Sequence, residues 1–214
     1  MKLYAVTHSP FAARVRLALR IKGLDYVQEA PPGGGTRSPE YLAINPIGKI
    51  PALVTESGLV IAESETIIDY LEDIRPEPSL IPADEAQRIQ MRNAIRTTEL
   101  YVVPATLRLF GQMDPAKRNA DMVEAELAQL RKGLGLVQAF VDDAPFVAGG
   151  AISKADCIVL PTLLLCDLIE HIFKVPQIVA GFPVLDSYGA KARQQADMGA
   201  IWAETEAALS TMLG

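Results

Sequence analysis

Thr7-His8-Ser9-Pro10-Phe11-Ala12-Ala13-Arg14-Val15-Arg16-Leu17-Ala18-Leu19 marks the point where a strand gives way to a helix. Before it, Lys2 to Val6 is a short apolar-rich run that reads as a strand. After it, Pro10 to Lys22 places Val15, Leu17, Ala18, Leu19 and Ile21 in a helical setting that Gly23 closes. Ser9 is a favoured N-cap and Pro10 a favoured first helical residue. Further along, Tyr26 to Ala30 reads as a second strand, and Pro31-Pro32-Gly33-Gly34-Gly35 as a flexible connection. No Gly-Lys-Ser/Thr follows those glycines, so they are not a phosphate loop. Ile50 to Thr55 and Leu59 to Ala62, joined at Glu56-Ser57-Gly58, suit a hairpin. Glu63 to Ile74 returns to helical spacing with Ile67, Ile68 and Leu71 on its buried side. The order is strand–helix–strand–helix–strand–strand–helix, which implies an α/β sheet with helices packed on it.

Arg75-Pro76-Glu77-Pro78-Ser79-Leu80-Ile81-Pro82 holds prolines at 76, 78 and 82, through which no helix runs, so it reads as a linker. Beyond it the period is helical almost to the end. Val123, Leu127, Leu130, Leu134, Val137 and Val141 form one apolar stripe at alternating steps of four and three. Gly133 and Gly135 lie inside that stripe, each at a cost of about 1 kcal/mol against Ala, which close approach of a neighbouring helix would explain. Ile95, Val102 and Leu109 recur every seven residues on the preceding helix. Ser153-Lys154-Ala155-Asp156 reads as an N-capping box, with Asp156 reaching back to the Ser153 amide. The helix it opens is apolar nearly all round and belongs at the centre of an all-helical domain.

The chain has 214 residues, half of them apolar, enough for one large domain or two small ones and too apolar for disorder. Lys plus Arg number 20 and Asp plus Glu 26, so the net charge is 20 − 26 = −6, which disfavours a general nucleic-acid binder. The N-terminus lacks the apolar run of a signal peptide, and the longest nearly apolar run, Cys157 to Cys166, falls short of the roughly 20 residues of a membrane span. No membrane association and a cytoplasmic location are expected. The two cysteines are separated by about 900° of helical turn and so face opposite ways. With two histidines, His8 and His171, far apart, no metal site is expected.

Three stretches could carry chemistry. At Ser9 the free amides and dipole of a helix N-terminus would stabilise an anion, and a thiolate is one such anion. The chain has no cysteine there, so a ligand would bring the thiol. His8 beside Ser9 suggests a Ser–His pair, but neighbours in a turn rarely face one another and no G-x-S-x-G elbow exists. In Asn45-Pro46-Ile47-Gly48-Lys49-Ile50-Pro51-Ala52-Leu53, a cis Ile50–Pro51 bond would aim the Ile50 amide and carbonyl outward, where an extended peptide could pair with them. In Glu63-Ser64-Glu65-Thr66, the plain reading is an acidic first turn with a serine cap. The sharper one is a ligand carboxylate held by the Ser64 hydroxyl and amide, with Glu63 facing an ammonium group.

Together these stretches resemble the glutathione transferase family over essentially the whole chain, and Ser153 to Asp156 looks like that family's capping box. The resemblance implies an α/β thioredoxin-like N-terminal domain (residues 1–76), a linker (77–85) and an all-α C-terminal domain (86–214). It implies a homodimer with glutathione as co-substrate and no metal. The first domain would bind glutathione; the second would bind a small hydrophobic electrophile and carry the dimer contacts. On this resemblance Ser9 is the hydroxyl that donates to the glutathione thiolate. Ile50 pairs through its backbone with the cysteinyl unit next to cis Pro51. Glu63 and Ser64 hold the γ-glutamyl end, and Lys49 meets the glycine carboxylate.

Ser9-Pro10-Phe11 resembles the omega-like branch of that family, which has Cys where this chain has Ser. The maleylacetoacetate isomerase branch shows Ser-Ser-Cys. The pattern therefore favours neither thiol-exchange reduction nor that isomerisation. It leaves serine-type conjugation, peroxide reduction and cleavage of an activated ether or halide, with a non-catalytic binding or regulatory member as the other class.

Overall fold

A computed structural model of the chain describes residues 1–213. Two compact units emerge: residues 1–80 together with the C-terminal helix, and residues 81–195.

The first unit alternates strands and helices as its sequence periods demand. It comprises β1 (Lys2–Tyr4), α1 (Pro10–Ile21), β2 (Val27–Glu29), α2 (Pro39–Ile44), β3 (Ala52–Val54), β4 (Val60–Ala62) and α3 (Ser64–Ile74). The sheet order is β2-β1-β3-β4, with β1 parallel to β2 and antiparallel to β3, and β3 antiparallel to β4. This is the thioredoxin-like arrangement. Leu3 and Leu53 on the sheet are fully buried, as are Val15, Leu17 and Leu19 of α1 and Ile67, Ile68 and Leu71 of α3. The proline- and glycine-rich segment after β2 folds into a 3-10 turn at Pro32–Gly34, whose Pro32 carbonyl accepts the Ser38 hydroxyl at 2.6 Å. The helix that the element order requires between the second and third strands is α2, capped by Ser38, which accepts from the Tyr41 amide at 3.1 Å.

The last helix, α9 (Ala196–Leu213), groups with this unit and packs on α1. With α3 also against α1, every residue from Ala12 to Leu19 is buried, Arg14 and Arg16 included.

The second unit is all helical: α4 (Glu85–Thr97), α5 (Val103–Phe110), α6 (Ala120–Gln138), α7 (Lys154–Phe173) and α8 (Pro183–Ala192). Ile95, Val102 and Leu109 are all buried, but the helix carrying them is broken by a π turn at Thr98–Val102. Pro104 follows one residue beyond its end, and its missing N–H is a cause of such wide turns. The π turn meets α6 at Gly133, where a Cβ would stand 2.4 Å from the Tyr101 carbonyl oxygen. Close backbone approach thus explains Gly133. Gly135 is exposed, and a Cβ there would make only ordinary contact with Phe182, so its presence has no such cause.

At the start of α7 the capping box forms. Asp156 accepts the Ser153 amide at 2.7 Å and its hydroxyl at 2.9 Å, and it also takes the Val147 amide at 2.8 Å and the Tyr188 hydroxyl at 3.1 Å. α7 is buried over most of its length, and both cysteines lie in it, buried and unbridged.

Candidate glutathione site

Three segments meet at one end of the sheet. The register pairs Tyr4 with Ala52 and Ala52 with Ala62, so these residues form a row across β1, β3 and β4. The chain leaves this row after β1 towards Thr7–Ser9, enters it before β3 from Ile50–Pro51, and leaves it after β4 into Glu63–Ser64. Neighbouring strands lie about 4.8 Å apart, so the row is about 10 Å wide. That matches about three residues of extended peptide. Alternating strand direction gathers motifs distant in sequence onto one rim.

Ser9 is the N-cap of α1, with φ −82° and ψ 118°. Its Oγ accepts the Ala12 amide at 3.3 Å, its carbonyl accepts the Ala13 amide at 2.9 Å, and its own amide donates to the Val6 carbonyl at 3.1 Å. A hydroxyl has one hydrogen and two lone pairs. The cap uses a lone pair, and among the described residues the hydroxyl hydrogen has no acceptor. Capping and donation to an external anion are therefore compatible uses of the same atom. No hydrogen bond joins His8 to Ser9 among the described residues, so nothing prepares Ser9 as a base-activated nucleophile.

The segment before β3 is held by its carbonyl at Lys49, which accepts the Tyr41 hydroxyl at 2.6 Å and the Asn45 side-chain amide at 2.9 Å. Asn45 Oδ1 in turn accepts the Ile47 amide at 3.1 Å. Tyr41 is fully buried and meets the Tyr4 ring edge-on at 5.8 Å. Burial raises the Tyr41 phenol above its ordinary pKa, so it stays a donor. Gly48 has φ 62°, and a Cβ there would come within 3.0 Å of the Thr36 carbonyl, which explains the glycine. The Ile50–Pro51 bond is cis. Ile50 is half-buried, and among the described residues its backbone makes no hydrogen bond. The Lys49 side chain is exposed.

Glu63 precedes α3 with φ 64° and ψ 125°, a conformation that costs a non-glycine residue about 1–3 kcal/mol. Its carbonyl accepts the Ile67 amide at 3.0 Å, and its side chain is exposed. Ser64 opens α3 and is buried; its Oγ faces Arg14 Nη1 at 3.5 Å. Arg14 also lies over the Phe11 ring, 4.6 Å from its centre. A buried cation thus stands beneath the start of α3, and the N-termini of α1 and α3 open on the same rim. In a chain of net charge −6 this makes the rim locally attractive to anions.

All six residues singled out in the sequence, Ser9, Lys49, Ile50, Pro51, Glu63 and Ser64, lie in the segments that meet there. Arg14 and Tyr41 are the supporting residues that motif reading passed over. The signal for Arg14 was available: a helix with apolar residues on every side leaves its arginines no exposed face. Among the described residues no group of three or more His, Cys, Asp or Glu is placed to hold a metal ion, and no helix is long and apolar enough to cross a membrane.

A thioredoxin-like unit with three motifs at one sheet end, joined to an all-helical unit, defines a recognisable class of two-part proteins, and comparison with known proteins places the chain within it. A model of the glutathione S-transferase N-terminal domain matches residues 3–79. A maleylacetoacetate isomerase of Pseudomonas aeruginosa is 33% identical, covering 76% of this chain and 80% of that protein. A glutathione S-transferase of Pseudomonas putida is 27% identical over 100% of this chain and 96% of its own. The solved structure of a glutathione transferase from Phanerochaete chrysosporium in complex with oxidized glutathione superposes with a TM-score of 0.81 at 20% identity, covering 97% of this chain and 96% of that one. The chain belongs to the glutathione S-transferase family of enzymes.

Proposed function

We propose that this protein binds glutathione along the rim of its sheet, ionises the thiol beside Ser9 and delivers it to a small hydrophobic electrophile. The observation that carries this reading is the row Tyr4–Ala52–Ala62, which sets the Ser9, Ile50 and Ser64 segments about one extended tripeptide apart. Ser9 donates its hydroxyl hydrogen to the thiolate, and the N-terminus of α1 adds to its stabilisation. The Ile50 amide and carbonyl pair with the cysteinyl unit, next to Pro51. Ser64 takes the γ-glutamyl carboxylate over the charge of Arg14, Glu63 takes the ammonium group, and Lys49 meets the glycine carboxylate. Functionally, residues 1–76 form the glutathione-binding domain and 77–85 the linker. Residues 86–214 supply the electrophile pocket and the dimer contacts of a cytoplasmic detoxifying homodimer.

Isomerisation is a second reading, favoured by the 33% identical relative named maleylacetoacetate isomerase, although Ser9-Pro10-Phe11 differs from the Ser-Ser-Cys of that branch. A thiolate that adds reversibly to a conjugated double bond and then departs needs the same Ser9 donor.

Retention on immobilised glutathione, followed by assay against aryl halides, conjugated enones, hydroperoxides and a cis-configured conjugated diketo acid, tests both readings. Thioether products support transfer. Geometric isomers without net glutathione consumption support isomerisation. Failure to bind glutathione removes both.

A further inference from the structure

The C-terminal helix reaches the Ser9 turn through a chain of charged and polar contacts inside the first unit. Glu204 of α9 accepts Arg20 Nη2 at 2.7 Å through one carboxylate oxygen and is paired with Arg16 Nη2 through the other. Arg16 is only 6% exposed, and its second terminal nitrogen donates to the Thr7 carbonyl at 3.4 Å. The Thr7 hydroxyl is held in turn by Gln28 of β2 at 3.2 Å. Thr7 lies within the turn that the Ser9 amide closes onto the Val6 carbonyl.

Arg20 alone could tie α9 to α1 at the surface, where such a pair contributes little. Arg16 is different. A buried guanidinium is costly to desolvate unless its planar fork is filled on more than one side. Here the fork is filled by a carboxylate from α9 on one side and by the carbonyl of the Ser9 turn on the other. The carboxylate fixes the plane of the guanidinium, and that plane fixes where the Thr7 carbonyl can sit.

We infer that Glu204 is a positioning residue for the Ser9 hydroxyl, acting through Arg16 and the Thr7 carbonyl, so that the terminal helix tunes thiolate stabilisation at the other end of the chain. The inference rests on the reading of Ser9 as the thiolate donor.

The test titrates the thiol of bound glutathione by the ultraviolet absorbance of its thiolate, which needs no electrophile. Wild type, Ser9→Ala, Glu204→Ala, Arg20→Ala and the double variant Ser9→Ala/Glu204→Ala are compared, with the dissociation constant for glutathione measured alongside. Glu204→Ala is expected to move the thiol titration upward by about half to one pH unit, or about 3- to 10-fold in thiolate fraction at fixed pH, with affinity changed less than about twofold. In the Ser9→Ala background it should move it no further. Arg20→Ala, which loosens the surface tie without touching Thr7, should leave the titration in place.

An unmoved titration in Glu204→Ala, with Ser9→Ala shifted, overturns the inference and leaves the reading of Ser9 intact. Equal shifts in both backgrounds, or the same shift in Arg20→Ala, also overturn it, since Glu204 would then act by some other route. An unmoved titration in Ser9→Ala removes the reading of Ser9 and this inference with it. If Glu204→Ala does not fold, Glu204→Gln, which keeps the shape but lacks the charge, is read by the same criteria.

Discussion

At the scale of single residues, the proposed site depends on one atom having two uses. Ser9 Oγ spends a lone pair on the Ala12 amide, and among the described residues its hydrogen has no acceptor, which leaves it for the proposed thiolate. Ser9→Ala should therefore lose a cap and a donor together. The donor to an ion is worth about 1.5–3 kcal/mol, so conjugation near neutral pH should fall roughly 10- to 100-fold with glutathione binding largely kept. Ser9→Cys should diverge from it. A thiol at a helix N-terminus ionises readily and can form a mixed disulfide, so that variant should lose conjugation and gain thiol-exchange reduction. Mass spectrometry after incubation with oxidised glutathione reads the adduct. In the proposed binding mode Glu63 and Ser64 would lie away from the reacting sulfur and grip the ligand equally in ground and transition states. Glu63→Ala and Ser64→Ala should raise KM for glutathione with kcat changed less, and the exposed Lys49 should show a milder form of the same effect. A collapse of kcat at constant KM would contradict the assignment. The places of these candidate residues in the fold are legible in the sequence, because Ser9, Glu63 and Ser64 stand at helix starts and Lys49 lies two residues before a strand-opening proline. Arg16 and Tyr41 were not, because their roles exist only once α9 and the Lys49 carbonyl have folded against them; for Arg14 the pattern of α1 signals burial but not its partner, Ser64.

At the scale of elements, the clearest case is the start of α7. Four donors converge on Asp156, yet its carboxyl is pushed up to about 6, because complete burial outweighs the bonds from Ser153, Val147 and Tyr188. A carboxyl raised in the folded state binds its proton more tightly there than in the unfolded chain. Its stabilising contribution is complete below about pH 4 and is lost as pH rises through about 6. Urea unfolding across pH 4–7 should show this as a descending component, of order 3 kcal/mol, that disappears in Asp156→Asn. Matching slopes in the two proteins would rule it out. α6 offers a paired test of packing. Gly133→Ala drives a Cβ into the Tyr101 backbone and should cost about 1–3 kcal/mol. Gly135→Ala meets open surface apart from Phe182 and should gain up to about 1 kcal/mol. The apolar stripe of α6 and the capping box were readable because they are periodic or local. The π turn was not, since the heptad of Ile95, Val102 and Leu109 stays buried across it and leaves no trace in the pattern. The bounds of α2 were hidden for a related reason: a helix of a turn and a half is too short to show a period.

At the scale of the whole molecule, the sequence pattern separated an α/β part from a helical part, but it had no means of showing that α9 returns to the first. That return is carried by a carboxylate on α9 and arginines on α1, a match between residues nearly the full chain apart. The same scale holds the question of assembly. α4 keeps Met91, Ala94 and Ile95 inside while presenting Ile89 and, at its π turn, Leu100 and Tyr101 about half exposed, with Arg92 and Arg96 between them. An apolar strip interleaved with arginine has the composition of an interface core, where aromatic residues, aliphatic anchors and Arg are enriched. Covering these side chains would remove their exposed apolar area from water. We expect sedimentation at micromolar concentration to give about twice 23.1 kDa. Ile89→Glu with Leu100→Glu should shift the species to the monomer mass, because two buried carboxylates facing their symmetry copies would repel where apolar area had been covered. Both positions are exposed within one chain, so the variant should keep its fold, as its circular dichroism would verify. A dimer that persists in the variant would move the interface to another face, and a wild-type monomer would remove the dimer while leaving the proposed glutathione rim, whose named residues run from Ser9 to Ser64, untouched.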